Sequence, residues 1–178
     1  MKIMLDPGHW TPEDPGAVGP NGLKESEVAM QICLKVQELL QYHEVKLTHL
    51  NDPYDSAAND LWPRVERAIE WGADCFVSIH CNAAESQDAE GFETYVLRDT
   101  DTSDTLQFAI HSAYLAAFPD AVDRGMKSAG FGVLRGPFPS VLVEVEFISN
   151  TYGEMFLFNS VDKIAAALAT GIEAYCES

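Results

Sequence analysis

Four side chains in this sequence carry the makings of hydrolytic chemistry, and none stands where a purely structural role needs it. His9 follows the short apolar run Lys2 to Leu5 and the stop Asp6-Pro7-Gly8. Proline removes a ladder donor there and glycine permits an abrupt reversal, so His9 stands at the mouth of a turn. Glu25 comes sixteen residues later, across a Gly/Pro-rich loop able to fold it back. His80 closes the apolar run FVSI, and Glu144 lies inside VLVEVEF. An unpaired carboxylate buried in such a strand costs several kcal/mol, so Glu144 needs a partner or a task. Two imidazoles and a carboxylate make a hydrolytic zinc set, with a fourth position left for water. Zinc lowers the pKa of that water to near 7, and a neighbouring carboxylate then shuttles protons. These ligands come from three separate segments and form no compact motif such as HExxH. Spacing alone therefore leaves open both a metal set and a group of unrelated polar residues.

The elements that would position them follow from periodicity. Lys2 to Leu5 is a strand. From near Leu23, Val28, Ala29, Ile32, Cys33, Val36, Leu39 and Leu40 recur at helical spacing, with Glu25 and Glu27 favourably placed in the first turn. EVKLTHL alternates as a strand, and NDPYDSAAND is a polar turn. The next helix has Pro63 in its first turn, turns Val65, Ala68 and Ile69 inward and ends at Gly72. CFVSIH reads as a central strand covered on both faces; GFETYVL, FGVL and SVLVEVEF are three further strands. A helix runs near Thr105 to Phe118, closed by Pro119, and a last one starts from Ser160. Strands alternating with helices predict a single α/β domain over 1–178, a three-layer sandwich with a mainly parallel twisted sheet of about six strands and helices on both faces.

Twenty-eight acidic against eleven basic residues give a net charge of −17, which repels phosphate backbones and argues against nucleic acid as a partner. The same charge opposes adhesion to anionic membranes or wall polymers. No apolar run approaches the ~20 residues that span a bilayer, so membrane insertion is not expected. Lys2 leads straight into a strand with no apolar leader, so the chain is expected in the cytoplasm until something releases it. Cys33, Cys75, Cys81 and Cys176 show no metal spacing. Cys75 and Cys81, at the two ends of one strand, would lie about 20 Å apart, too far for a disulfide.

The ordered blocks LDPGHW, DPGAVGPNGLKESEV, ADCFVSIHCNAA, GFETYVL and RGMKSAGFGVLRGPFPSVLVEVEFISN closely resemble the zinc-dependent N-acetylmuramoyl-L-alanine amidases, which include division and spore-wall amidases and phage endolysins. The resemblance runs from Met1 to the final helix. It implies a phosphorylase/hydrolase-like fold, one zinc ion per chain held by His9, Glu25 and His80, and Glu144 as the catalytic acid/base. It further implies peptidoglycan or a muropeptide as substrate, cleaved between the lactyl group of N-acetylmuramic acid and L-alanine. A monomeric phage or prophage endolysin with no wall-binding module is the expected form. A zinc peptidase or deacylase on the same scaffold, and a non-catalytic peptidoglycan-binding protein, are the rival readings. The second of these would be expected to have lost a ligand or the glutamate, yet all four positions are filled.

The chain departs from the family in places. Glu146 stands where glycine is usual, and at period two it would share a face with Glu144 and disfavour joint ionisation. Cys81 stands where alanine is common and is expected in the core. No insertion separates SIHCNAA from GFETYVL, where some relatives carry a blocking helix, so the groove is expected to be open. Asn82, Arg135 and Trp10 are candidate substrate contacts. His43, His49 and His111 are expected as solvated surface, Glu93 as an outward strand carboxylate and Trp71 as core.

Overall fold

The structure, a computed structural model, describes residues 1–11, 13–50, 52, 55, 60–97 and 102–178. Its strands are β1 (Lys2–Pro7), β2 (Glu44–Leu47), β3 (Cys75–Asn82), β4 (Phe92–Leu97), β5 (Asp123–Ala129) and β6 (Ser140–Phe147). Its helices are α1 (Glu25–Leu39), α2 (Leu61–Trp71), α3 (Asp104–Ala117) and α4 (Thr151–Cys176), with a 3-10 turn over Gly132–Leu134. One six-stranded sheet has the order β2-β1-β3-β6-β4-β5. All pairings are parallel except β4 with β6. The carboxyl ends of β1, β3 and β6 therefore meet the amino ends of β4 and β5 at one edge of the molecule, where open α/β sheets gather their sites.

Side-chain alternation splits the core in two. Ile3, Leu5, Val77, Ile79, Val141 and Val143 pack under α1, α3 and α4 with Ile32, Ile110 and Leu168. Met4, Phe76 and Leu142 point the other way, under Val65 and Ala68 of α2 and Val133 and Leu134 of the turn. β3 and β6 sit in the middle of the sheet and are buried on both faces, hence their continuous apolar runs. α2 begins at Asp60, whose side chain accepts from Leu61 N–H, and ends at Gly72 in the left-handed region (φ 71°).

Five local expectations need correcting. FGVL is not a strand; its place is taken by the 3-10 turn, and the fifth strand is DRGMKSA at the sheet edge. Its exposed residues alternate with half-buried ones and it has no apolar stripe to mark it. The last helix starts at Thr151, capped by the Asn150 side chain accepting from Gly153 N–H at 2.8 Å, and not at Ser160. Its 26 residues make it long and apolar enough by length and composition to cross a bilayer, so the expectation that no stretch reaches that size fails. Here its inner side, with Leu157, Ile164, Leu168 and Ile172 buried, packs on the sheet. Ile69 faces outward, 41% exposed, where an inward position was expected. The three other histidines are partnered: His43 with Glu173 at 2.9 Å, His49 with the Pro7 carbonyl at 3.0 Å, and His111 between Thr94 and Asp123. The polar turn over 51–60 falls mostly outside the described residues. Cys33, Cys75 and Cys81 are buried free thiols, and Cys176 is half-buried.

Candidate metal centre

β1 delivers His9 to the edge through Asp6-Pro7-Gly8. Gly8 N–H donates to the Ile79 carbonyl at 2.8 Å, stitching the turn to β3. A side chain at position 8 would collide with the His80 ring at 2.5 Å, so glycine is what lets the two histidines share one space. His9 itself adopts the left-handed conformation (φ 61°), uncommon outside glycine and costly unless its surroundings enforce it. Arg64 of α2 provides that enforcement. Almost fully buried, its guanidinium donates to the carbonyls of Pro7 at 2.6 Å and His9 at 2.7 Å, and pairs with buried Asp6 at 3.1 Å. Asp6 also accepts from Thr48 and Ser78 hydroxyls.

Glu25, the first residue of α1, is buried and faces both imidazoles. Its Oε1 lies 3.0 Å from His80 Nδ1 and its Oε2 lies 3.2 Å from His9 Nε2. The amides of Cys81 and Ala17 donate to the same two oxygens at 3.0 and 2.9 Å. The ligand atoms of His9, Glu25 and His80 all fall within 4.8 Å of one another. Burial opposes the charge on Glu25, yet hydrogen bonds and the positive charge of His80 and His9 outweigh it and hold the carboxyl well below the usual carboxylate range. Burial likewise pulls His9 down, but Glu25 and then Asp14 raise it to about 9. His80 is raised too, against its burial, mainly by the Glu25 hydrogen bond.

Glu144 is the register partner of His80 across β3 and β6, so the two side chains share a face. Its Oε2 is buried and has no hydrogen-bond partner among the described residues. Burial pushes its pKa up to about 7; the His80 charge opposes this, and Glu25 and Glu93 add to it. Two imidazole nitrogens, a buried ionised carboxylate and an unpartnered carboxylate oxygen beside them fit a zinc ion in donor chemistry, with a proton acceptor at hand.

The remaining candidates are placed differently. A bulge in β6 between the pairs His80–Glu144 and Asn82–Phe147 adds one residue and breaks the period-two relation of Glu146 to Glu144. Glu146 instead accepts from the Gly91 and Phe147 amides at 2.7 Å each, beside a cavity shared with Phe118, Tyr152 and Lys163. Its pKa is raised by burial, and Glu144 plays no resolved part, which corrects the expected carboxylate pair. Asn82 donates to Glu93 at 2.6 Å, so its amide is engaged inside the protein. Trp10 is only 2% exposed and clipped to Asp14 by two backbone hydrogen bonds of 2.7 Å, so it does not line an open groove. Arg135 is exposed just after the 3-10 turn, with its guanidinium 3.5 Å from the Gly130 carbonyl.

Three contributors escaped the sequence reading. Asp14, in the loop between His9 and Glu25, accepts at 2.9 Å from His9 Nδ1, an arrangement that fixes the ring of a metal-ligating histidine. The Pro-flanked Asp of EDPG was its only signal. Arg64 looked like any helical arginine. Glu93 is 3% exposed, not outward, and gathers Asn82, Tyr95, Arg124 and Lys127.

A sequence profile described as N-acetylmuramoyl-L-alanine amidase matches residues 3–174. The sporulation-specific N-acetylmuramoyl-L-alanine amidase of Bacillus subtilis (strain 168) is 39% identical over 181 residues, covering 97% of this chain and 67% of that protein. The endolysin of Bacillus phage SPP1 is 36% identical over 157 residues, covering 83% of this chain and 55% of its own length. The chain thus spans about two thirds and about half of these relatives. Among solved structures, the catalytic domain of CwlV from Bacillus (Paenibacillus) polymyxa var. colistinus superposes with a TM-score of 0.90 at 32% identity, covering 99% of this chain and 98% of that one.

Proposed function

The chain belongs to the N-acetylmuramoyl-L-alanine amidase family, and from that premise we propose that it is a zinc-dependent peptidoglycan amidase, one ion per chain, opening the bond between the lactyl group of N-acetylmuramic acid and L-alanine. The observation that carries the reading is the convergence of His9, Glu25 and His80 on one point, with an unpartnered Glu144 oxygen beside it. When bound there, zinc supplies Lewis acidity toward the amide carbonyl and acidifies water.

The protein's own groups do the rest. Glu25 neutralises charge and, through the Cys81 and Ala17 amides, stays fixed. Asp14 and Arg64 hold the His9 ring and backbone. Glu144 takes the proton of the attacking water on its carboxylate as the water oxygen bonds to the carbonyl carbon. It returns that proton to the nitrogen as the C–N bond breaks, leaving a lactyl carboxylate and a free alanine amine. A pKa near 7 suits a group that must both accept and give a proton at neutral pH. Action on the bacterial wall as a monomer, after synthesis in the cytoplasm and release, belongs to the same proposal; the phage relative supports a lytic role.

Mass spectrometry of peptidoglycan digested by zinc-loaded protein tests the reading. New free N-terminal alanine with intact muramic acid is expected. Cleavage within the stem peptide or loss of acetyl groups would instead support the peptidase or deacylase reading, and no cleavage would remove enzymatic function.

A further inference from the structure

Beyond the ligand cluster, a row of charged side chains crosses the sheet at one level. His80 of β3 faces Glu144 of β6, and Glu144 faces Glu93 of β4. Glu93 in turn lies opposite the β5 bulge between the pairs Phe92–Asp123 and Thr94–Met126, which contains Arg124. Register partners in adjacent strands put their side chains on the same face, so the row continues from the metal ligands to β5 without leaving that face. Buried Glu93 receives two cations on one oxygen: Arg124 Nε at 3.1 Å and Lys127 Nζ in a short contact. Asn82 and Tyr95 fill its other oxygen. Lys127 lies over the Tyr95 ring at 5.7 Å, and Phe131 abuts the same ring at 5.2 Å.

Glu93 carries one negative charge and holds two positive ones, both side chains more than a third exposed. Among the described residues, Arg124 also acts on Glu146, whereas the ion-pair partner of Lys127 is Glu93 alone. Lys127 therefore keeps N–H donors and positive charge turned to solvent, in a chain of net charge −17. Such a spot attracts an anion. β5 lies two strands from β6, about 10 Å at ~4.8 Å per strand, the reach of about three extended residues at ~3.3 Å each, or of two when the second bears its carboxylate on a side chain.

Resting on the amidase reading, we propose that Lys127, with Arg124 beside it, is the receptor for a carboxylate on the second stem-peptide residue beyond the scissile amide, and that Glu93 is the positioning residue that holds both cations in place. The ion pair would align the peptide along the row and set its amide against Glu144. Substrates with that carboxylate free are then preferred to those in which it is amidated.

The test uses zinc-loaded protein and two synthetic N-acetylmuramoyl tripeptides with amidated termini. One has a free carboxylate on its second residue; the other has a primary amide there. The free-carboxylate compound should show kcat/KM about tenfold higher in the wild type, the scale of one partly solvated charge-assisted hydrogen bond. Lys127→Met should bring the ratio toward one through a raised KM on the carboxylate substrate. Lys127→Arg should keep the preference, and Arg124→Gln should reduce it in part. A wild-type ratio near one, or a ratio that survives Lys127→Met, overturns the receptor while leaving the amidase reading intact. Failure to open either compound overturns both. If Lys127→Met does not fold, the wild-type ratio and Arg124→Gln still decide.

Discussion

On one face of the sheet, α1, α3 and α4 press an apolar layer running from Ile3 to Ile172. On the other, α2 and a single 3-10 turn cover Met4, Phe76 and Leu142, and the row His80, Glu144 and Glu93 continues past that cover. β1, β3, β4 and β6 each serve both faces. β6 sends Val141, Val143 and Val145 into the thick layer and Leu142 and Glu144 into the thin one. A one-residue slip of register would exchange them, so the apolar layer also fixes which residues reach the site. The difference shows a division of labour. The thick side buries mostly carbon and stabilises the fold; the thin side holds Asp6, Arg64, Glu93 and Glu144 at a cost in desolvation, and α1 brings Glu25 to them from the thick side.

The division can be broken by experiment, beginning on the thin face. Glu144→Gln should keep fold and metal yet lose about 10²–10⁴-fold in kcat, since it removes the proton carrier. Steady-state rates beside matching circular dichroism check this. On the thick face the outcome should invert. Leu168→Ala, at a fully buried position, should cost about 2–5 kcal/mol in urea unfolding. Its rate per folded molecule should hardly change; a collapse in kcat there would mean that the two faces are not separable.

Between these extremes lies Arg64, which belongs to α2 but acts on the site. An ammonium cannot serve two carbonyls and Asp6 at once as the guanidinium fork does. Arg64→Lys should loosen His9 and weaken zinc affinity about 10–100-fold, read by chelator competition. Unaltered affinity would show that His9 keeps its strained backbone unaided.

The smallest effect concerns pH. Glu144 is needed as a carboxylate at the start of the reaction, so kcat/KM should rise as pH rises through its pKa, about 7. The charge on Glu93 helps to keep that pKa high. Glu93→Gln removes a negative charge and frees two cations, which favours ionised Glu144 and should move the limb to lower pH by less than about one unit. A shift to higher pH would contradict the assigned sign.

How far the sequence could be read follows the same division. Thick-face elements announce themselves through local periodicity, as in the α1 stripe, or through continuous apolar runs, as in β3 and β6. The four site candidates stood out because their surroundings are unusual, with a Pro-Gly stop before His9 and an apolar strand around Glu144, but spacing left a metal set open and the family resemblance supplied the roles. Glu93 did not stand out, because the cations that permit its burial come more than thirty positions later, on a strand without an apolar stripe. His49 and His111 failed for the same reason: their partners are distant in sequence. Glu146 misled because period two assumes a regular strand, and a bulge shows only in pairing. The start of α4 was hidden because Tyr152, Met155 and Phe158 are exposed apolar residues that blur the helical stripe.

The central claim is that three side chains hold the metal and a fourth, beside them, moves the proton. Metal-stripped wild type, Glu144→Gln and His80→Ala should each be loaded with zinc, passed through gel filtration and assayed for bound metal and amide cleavage. The account predicts about one zinc per chain in the wild type and in Glu144→Gln, with turnover only in the wild type, and no retained zinc in folded His80→Ala. Full occupancy in His80→Ala, or a Glu144→Gln protein that turns over like the wild type, would contradict it.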